Sequence, residues 1–586
     1  MFKRLVSVLM IGILLAALLC SCSRTAESVT LPVRSVVTSL DPQISGDASS
    51  GSIAANCMEG LVRIDETGGV VPASAEDWTV SDDGLTYRFT LRDGLRYYLP
   101  EKLDDLLGKN YEKTFDTSVT ADDFAFALER CVDPNTESPV APALLNIENA
   151  EDIFGGARSR SELGVSAPDR RTVIIRLARP DPTLLYALAQ PACAPCSRTF
   201  FRKTAGRYGL EWNLLLCNGP YTIKSMNTTT GTVVLTSNEA YSGTFAPHKE
   251  QVRFVRARYQ DPNATAAAAP SDDDNAPLDL MTALLAEEDG LDAAVLPKAG
   301  ADTLPAAYHT TFFDNEVQVL CFSQRSEFGK VRNYRRSLLY ATDPELLQTE
   351  ENSAPGGLIP DCCYASDSLL YREAAGRTVL PAFDLAKAKK YYQKALDAEA
   401  KRVEEMREQG MEEKEIAKKT VVIDQLTLIC LEADRTAAQA VVQNWQKVYG
   451  TAISVTIKTY ETQEELDQAL AGSSYDVALT TLRAENCIAA HFMQQFLSTS
   501  TGNALGLKDK KLDKALTAMR RSGTANDVVK NGMAAENRLL EQAYLLPVRK
   551  NRNVLAVRDA AVGLYTYPAG TVYAAFAAGP APEAKP

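Results

Sequence analysis

Alternating apolar and polar residues predict several β-strands along the chain. In residues 84–91, the apolar residues Leu85, Tyr87, Phe89 and Leu91 are separated by polar ones, a period-two pattern typical of a strand with one buried face. An Asp-Gly turn lies near each end of this segment, so we expect the strand to belong to a meander. Similar patterns predict strands over 172–177, 231–236, 426–431 and 453–457.

Helical segments are predicted between some of these strands. Thr120 is a suitable N-cap for a helix over 121–131, whose first turn is acidic and therefore favours the positive end of the helix dipole. A charged stretch over 384–419 predicts helical structure that projects into solvent, and 444–448 continues a helix between two predicted strands. This β-α-β order predicts a mixed α/β fold that includes a second α/β lobe.

The first residues have the pattern of an export signal. Lys3 and Arg4 precede an apolar run over 5–19, which is shorter than the ~20 apolar residues that a membrane-spanning helix needs. The run ends in 19–22 (LCSC), which resembles a bacterial lipobox with Cys22 at position +1. The resemblance predicts diacylation of Cys22; an ordinary secreted protein and a signal anchor are the alternatives.

Cleavage before Cys22 defines a signal peptide of residues 1–21, and the Ser/Thr-rich residues 22–30 are expected to form a tether. The protein is therefore predicted to lie on the extracytoplasmic face of the cell membrane, held there by lipid.

Composition narrows the possible functions. The 586 residues are 45% hydrophobic and 23% charged, which is typical of a globular chain and not of a disordered one. The net charge of -13 argues against nucleic acid as a partner, because phosphate binding needs a basic surface. Three histidines leave little room for a His-rich metal site, and no metal site is predicted.

The cysteine spacing and the catalytic motifs do not indicate a particular class of enzyme. Export permits disulfides, but the sequence leaves their pairing open among Cys57, Cys131, Cys193, Cys196, Cys217, Cys321, Cys362, Cys363, Cys430 and Cys487. Cys193 and Cys196 have redox-motif spacing but lie in a Pro-rich stretch. Cys487 and His491 could form a thiol–imidazole pair on a helix. The chain has no HExxH motif, no GxSxG motif with triad partners and no phosphate-binding GxxxxGK[ST] motif.

Several separated blocks together resemble one family. They are 39–42 (SLDP), 58–62 (MEGLV), 81–94 (SDDGLTYRFTLRDG), 119–124 (VTADDF), 132–139 (VDPNTESP), 218–223 (NGPYTI), 331–338 (VRNYRRSL), 341–344 (ATDP) and 546–548 (LPV). Each block is a weak signal, but their order over 33–575 resembles that of extracytoplasmic solute-binding protein family 5. This family contains the oligopeptide-binding proteins of peptide ABC transporters.

The resemblance implies a two-lobed, type II-like periplasmic-binding-protein fold of the mixed α/β class. Residues 31–259 and 496–586 are assigned to lobe one, which includes an extra sub-domain near 60–170. Residues 260–495 are assigned to lobe two. A ligand cleft is expected between the lobes.

The resemblance also implies how a ligand is held. An extended peptide pairs by its main chain with one segment from each lobe, here Gly46, Asp47 and Ala48 and then Thr481, Leu482 and Arg483. Glu485 takes the position of an acidic residue that receives the peptide's α-ammonium group. Leu482 replaces a common tryptophan and Glu485 a common aspartate, so the ligand class is open. Arg483 is expected either to bind a ligand carboxylate or to be paired within the scaffold.

The predicted function is therefore peptide capture by a monomeric, lipid-anchored binding protein without enzymatic activity or cofactor. Its partners are the peptide, an ABC permease and the ATPase that drives the permease. The first alternative is the same fold binding a metal chelate, haem, a sugar or an opine. The second is an anchored hydrolase.

Overall fold

Strands from distant parts of the chain pair into three principal sheets. The computed structural model describes residues 28–37, 39–45, 48–65, 68–258, 278–286, 290–347, 354–420, 425–472, 474–484, 486–561, 563–567 and 571–573. The predicted signal peptide, the predicted lipidation site Cys22 and the first part of the predicted tether lie outside these described residues.

The strands, in chain order, are β1 (Ser28–Val33), β2 (Val62–Ile64), β3 (Val70–Pro72), β4 (Ala75–Val80), β5 (Thr86–Leu91), β6 (Val165–Asp169), β7 (Thr172–Arg176), β8 (Tyr221–Asn227), β9 (Thr232–Ser237), β10 (Gln251–Arg258), β11 (Leu278–Asp279), β12 (Ala293–Pro297), β13 (Tyr308–Phe322), β14 (Tyr364–Ser366), β15 (Leu369–Leu370), β16 (Gln425–Leu431), β17 (Ser454–Tyr460), β18 (Val477–Arg483), β19 (Leu545–Arg558), β20 (Tyr565–Tyr567) and β21 (Thr571–Tyr573).

The helices are α1 (Ala48–Cys57), α2 (Asp104–Leu107), α3 (Tyr111–Thr114), α4 (Ala121–Val132), α5 (Ala141–Leu144), α6 (Ala150–Phe154), α7 (Leu184–Leu188), α8 (Arg198–Lys203), α9 (Leu280–Leu285), α10 (Lys298–Ala301), α11 (Glu327–Lys330), α12 (Arg332–Ala341), α13 (Tyr371–Ala375), α14 (Leu385–Glu408), α15 (Glu413–Lys419), α16 (Arg435–Tyr449), α17 (Gln463–Ala471), α18 (Ala489–Gln494), α19 (Lys510–Arg520) and α20 (Ala525–Glu541).

The first sheet has the order β1-β10-β9-β8, with β11 also paired to β10. Its strand β1 starts at Ser28 because Val29, Leu31 and Val33 alternate into the core. The last three residues of the predicted tether, 28–30, therefore belong to this sheet, and the folded body begins before Leu31.

The second sheet has the order β4-β5-β7-β6 and is antiparallel. In β5, Tyr87, Phe89 and Leu91 are buried as their alternation predicted. Helix α4 packs beside β6 and β7. It begins as predicted, because Thr120 and Asp123 form a reciprocal capping box.

The third sheet has the order β12-β19-β13-β18-β16-β17. Strands β16 and β17 are parallel and joined through α16, which confirms the predicted β-α-β unit. The long strands β13 and β19 pair along most of their length. Strand β19 is therefore an inner strand of the sheet that also contains β16 to β18. Residues assigned to lobe one (496–586) and to lobe two (260–495) thus share this sheet.

Helices pack on one face of this third sheet. Leu338 of α12, Ala388 of α14 and Trp445 of α16 pack with Leu428 and Leu479 on one face. Helices α19 and α20 pack against each other and against α18. Within the described residues, none of the helices has both the length and the apolar character needed to cross a bilayer.

Candidate functional site

Strand β18 contains three predicted site residues, Thr481, Leu482 and Arg483. One edge of β18 pairs with β13 along the whole strand. On the other edge, β16 pairs only with Val477 and Ala478. In the part of the chain that the structure describes, no strand pairs with this second edge at residues 479–482, which we call the open edge.

The hydrogen-bond alternation of β18 shows which backbone groups reach the open edge. The Ala484 N–H donates to the Asn315 carbonyl at 2.9 Å, and the Ser323 N–H donates to the Asp476 carbonyl at 3.0 Å. Even-numbered residues of β18 therefore bond to β13. The N–H and C=O groups of Leu479 and Thr481 point the opposite way, toward the open edge. An extended chain can add there as a further strand.

Arg483, Glu316 and Asn551 occupy one row across β18, β13 and β19, which we call the polar row. The Arg483 Nε donates to Glu316 Oε1 at 2.8 Å. The Asn551 amide donates to Glu316 Oε2 at 3.4 Å and to the Thr481 hydroxyl at 3.5 Å. Arg483 is thus paired within the scaffold, which is one of the two roles expected for it.

The charge of Glu316 is stabilised by its neighbours. Burial opposes ionisation, but the positive charges of Arg483 and Arg34 hold the pKa of Glu316 below its ordinary value. Arg34 directly follows β1, and the N–H groups of Arg34 and Ser35 donate to Ser49 Oγ at 3.1 and 3.3 Å. The segment that follows β1 therefore contacts the start of α1 and also influences Glu316 of the polar row.

The predicted site residues are only partly described. Ala48 is the first residue of α1, while Gly46, Asp47 and Glu485 lie outside the described residues. Leu482 lines a small apolar cavity of about 40 Å³ on the other face of the sheet, together with Val319 and Phe496.

Sequence reasoning missed several polar groups near Thr481. Gln318, directly opposite Thr481, is 1% exposed, and its Oε1 has no hydrogen-bond partner within the described residues. Asn551 Oδ1 is likewise buried without a partner there. The signal was present, because Asn315, Glu316 and Gln318 are polar residues that precede or interrupt an otherwise apolar run in β13.

A larger cavity of about 560 Å³ lies near the polar middle of β19. Its lining includes Asp361, Arg372, Glu373, Arg377 and Lys550. The Lys550 ammonium group bridges Asp314 and Asp361, at 2.8 Å from each.

The possible catalytic side chains lie in buried environments that oppose their reactive forms. Cys196 of the CxxC segment is buried, and burial raises the pKa of its thiol to about 12. His491 is hydrogen-bonded to Asn486, and burial lowers the pKa of its imidazole to about 4, so it is a weak base. Cys487 Sγ lies 3.1 Å from Cys362 Sγ.

Comparison with known proteins identifies the family. The family model for bacterial extracellular solute-binding proteins, family 5, matches residues 69–504, which is most of the chain. The chain belongs to this family. The resemblance found in the sequence blocks is confirmed.

Two relatives and one solved structure illustrate the similarity. The dipeptide-binding protein of Lactococcus lactis subsp. cremoris is 32% identical over 248 residues, and the alignment spans only 42% of either chain. The periplasmic oligopeptide-binding protein OppA of Salmonella typhimurium is 25% identical over 572 residues, 94% of each chain. The structure of Listeria monocytogenes OppA bound to peptide aligns with a TM-score of 0.71 at 19% identity, over 95% of this chain and 100% of that chain.

The predicted fold class is therefore confirmed: this family 5 protein is a mixed α/β chain with the fold of OppA-type solute-binding proteins.

Proposed function

We propose that this family 5 protein captures peptides beside β18 and delivers them to an ABC permease. The observation that carries the proposal is the open edge, where the backbone of Thr481 faces away from β13. Every peptide offers the same N–H and C=O groups, so main-chain pairing binds peptides of many sequences. Catalysis is not required.

The second pairing segment is proposed to be Gly46, Asp47 and Ala48, with Glu485 receiving the α-ammonium group. Gln318 Oε1 and Asn551 Oδ1 support this use of the site. Both are buried and have no hydrogen-bond partner among the residues that the structure describes, so they are suited to accept hydrogen bonds from a ligand or from water. Since Arg483 is engaged by Glu316, we do not assign it to a ligand carboxylate.

Native mass spectrometry tests the ligand class. The mature chain, residues 22–586, is purified without unfolding, and any retained ligand is released and identified. We expect one chain per particle and a mixture of short peptides. Glu485→Ala should reduce peptide retention, whereas the same change at the exposed Glu345 should not. A single non-peptide ligand would contradict the proposal and favour the alternative ligands.

The same preparation separates binding from hydrolysis. Peptides incubated with the protein should be recovered at their original mass. Cleavage products that persist in repeated preparations would instead support an anchored hydrolase.

Anchoring is proposed to depend on Cys22 and to leave the binding body outside the cytoplasmic membrane. In cell fractionation, the wild-type chain should be found with membranes and should carry a diacylglyceryl mass on Cys22. Cys22→Ser should lose this mass and keep residues 1–21. Release of the wild-type chain without lipid would contradict anchoring and would indicate an ordinary secreted binding protein.

A further inference from the structure

We propose that Cys362 and Cys487 form a disulfide in the exported protein and thereby fix the loop that follows β18. The two sulfur atoms are 3.1 Å apart, although the residues are 125 positions apart in the chain. A disulfide bond is ~2.0 Å long, so a movement of about 1 Å closes it. The inference depends on export of a family 5 protein and is independent of the ligand's identity.

The backbone already holds the two cysteines beside each other. The Tyr364 N–H donates to the Cys487 carbonyl at 2.7 Å, and Tyr364 forms a parallel bridge with Ile488. The Cys362 N–H donates to the Asp314 carbonyl at 3.3 Å. Little chain rearrangement is therefore needed to bring the sulfur atoms to bonding distance.

The backbone conformation at Cys487 also favours a role for its side chain. Its φ is +53°, in the left-handed region where glycine or asparagine is more usual. A residue with a Cβ atom is strained in this conformation, so the turn alone does not explain a cysteine here. A covalent bond from its sulfur gives the residue a use that glycine cannot provide.

Exposure distinguishes this pair from the other neighbouring thiols. Cys57 and Cys217 are in contact, as are Cys131 and Cys193, but all four are fully buried. Cys362 is partly exposed, so an oxidant can reach it in the folded chain. Burial opposes ionisation of Cys362, but hydrogen bonds from Cys363 and Cys487 lower the pKa of Cys362 to about 6. The lowered pKa favours the thiolate, which is the form that attacks a disulfide.

The reaction is thiol–disulfide exchange with an extracytoplasmic disulfide oxidant. The Cys362 thiolate attacks one sulfur of the oxidant's disulfide, forming a mixed disulfide and releasing one oxidant thiol. The deprotonated Cys487 sulfur then attacks Cys362 Sγ, which forms the protein disulfide and releases the second oxidant thiol. The two protein thiols lose two electrons and two protons, and the oxidant gains both.

The bond would join the loop after β18 to the segment around Tyr364. The Tyr364 ring stacks on Tyr186 of α7, with ring centroids 4.4 Å apart. The Asp367 N–H donates to the Pro182 carbonyl at 2.7 Å. The disulfide therefore restrains the end of the open edge relative to the part of the molecule that contains α7.

Peptide mapping tests the bond directly. The exported full chain is quenched in acid, alkylated with N-ethylmaleimide without reduction, and digested with trypsin. The expected product is residues 337–372 linked to residues 484–508. Cys363→Ser should retain this link, because the neighbouring thiol is not the partner. Cys487→Ser should lose it and leave Cys362 alkylated.

Two results would overturn the proposal. One is full alkylation of Cys362 and Cys487 in the unreduced wild-type chain. The other is a link that survives Cys362→Ser, which would assign the bond to Cys363.

Thermal unfolding gives a second readout that does not depend on recovering peptides. Dithiothreitol should lower the Tm of the wild-type chain more than that of Cys487→Ser, since the variant has no such crosslink to lose. Cys430→Ser, which removes a buried thiol on β16, should keep the wild-type response. Equal responses of wild type and Cys487→Ser would contradict the proposal.

Discussion

At the scale of single residues, Glu316 holds the polar row that joins β18, β13 and β19. Glu316→Gln keeps the side-chain shape but leaves the Arg483 charge without its carboxylate. Because the Glu316 side chain is 9% exposed and Arg483 is 31% exposed, we expect a loss of about 1–3 kcal/mol in the free energy of unfolding. Urea denaturation measures this loss, with the exposed Glu345→Gln as a control that should change little.

The same substitution predicts a pH dependence. The pKa of Glu316 in the folded state lies below its ordinary value of 4.5, so the folded chain gains stability from this group above that pH. The gain is lost as the pH falls through the folded-state pKa. The stability difference between wild type and Glu316→Gln should therefore be greatest near pH 7 and shrink below pH 4.5. A difference that is constant with pH would assign the effect to packing.

Asp367 is expected to change the stability of the folded chain with pH in the opposite direction. Burial, together with the nearby Asp181, raises the pKa of Asp367 from 3.8 to about 8. Between these two values the folded chain holds a proton that the unfolded chain releases, so this group lowers stability as the pH rises through that interval. Asp367→Asn keeps an oxygen for the Tyr186 N–H, which donates to Asp367 Oδ1 at 3.3 Å.

Asp367→Asn should therefore increase the Tm relative to wild type near pH 8.5 and have little effect near pH 4. Thermal unfolding followed by circular dichroism measures both. Asp82→Asn, in an exposed turn, provides the control and should show no such trend.

At the scale of elements, β18 is the strand whose unused edge gives the protein its proposed function. Thr481→Pro removes an N–H that faces the open edge, while the bonds of the even-numbered residues to β13 remain. Loss of one main-chain hydrogen bond is expected to weaken peptide binding by about fivefold, or about 1 kcal/mol. Isothermal titration with a peptide identified by mass spectrometry measures the change.

Two variants show whether the N–H is responsible. Thr481→Val keeps the N–H but loses the contact between the Thr481 hydroxyl and Asn551, so its affinity should stay near that of wild type. Leu482→Pro removes an N–H that faces β13 and should instead reduce stability. Equal peptide affinity of Thr481→Pro and Thr481→Val would exclude pairing at this residue.

Local patterns predicted elements well where the pattern itself is the cause. The alternation of apolar residues correctly predicted β5, and the capping residues correctly predicted the start of α4. The predicted β-α-β order corresponds to β16, α16 and β17. No alternation or capping pattern marked residues 99–115, which form the two one-turn helices α2 and α3, with Tyr111 buried. Boundaries shifted by a few residues, since helix ends depend on tertiary contacts.

The candidate site was less predictable because its contacts are non-local. Arg483 and Glu316 are 167 residues apart, and their pairing follows from the register of β13 and β18. The open edge is also a property of the assembled sheet, because it requires β16 to diverge after Ala478. Sequence resemblance proposed Thr481 to Arg483 as a pairing segment but could not show which neighbour each residue contacts.

At the scale of the whole molecule, β13 and β19 connect distant parts of the chain within one sheet. Strand β19 pairs with β12, strand β13 pairs with β18, and β13 and β19 pair with each other. The Asp292 N–H, next to β12, donates to the Thr30 carbonyl of β1 at 2.8 Å. The third sheet is therefore joined to the first by a main-chain hydrogen bond between β1 and the residue before β12.

A second connection between distant regions centres on Glu151 of α6. Its carboxylate binds Arg521 at 2.8 Å and Arg179 at 3.3 Å, and it also binds Arg520 of α19. Burial opposes ionisation, but these arginines lower the pKa of Glu151 to about 2. Helix α6 follows the second sheet's α4, whereas α19 belongs to the helix pair near the end of the chain. Any movement of these regions apart must break this cluster.

We expect α6 and α19 to separate when the peptide leaves, so Glu151→Gln should increase the peptide dissociation rate by about threefold to tenfold, equivalent to about 1 kcal/mol for a partly exposed cluster. Stopped-flow release of a labelled peptide measures the rate. Asp152→Asn is the matched control, because Asp152 pairs only locally with the exposed Arg158 among the ion pairs of the described residues.

Since the pKa of Glu151 is depressed, the stability that its ion pairs contribute persists above pH 4.5 and is lost as the pH falls toward 2. An unchanged release rate with a lower Tm would show that α6 and α19 stay together during ligand release.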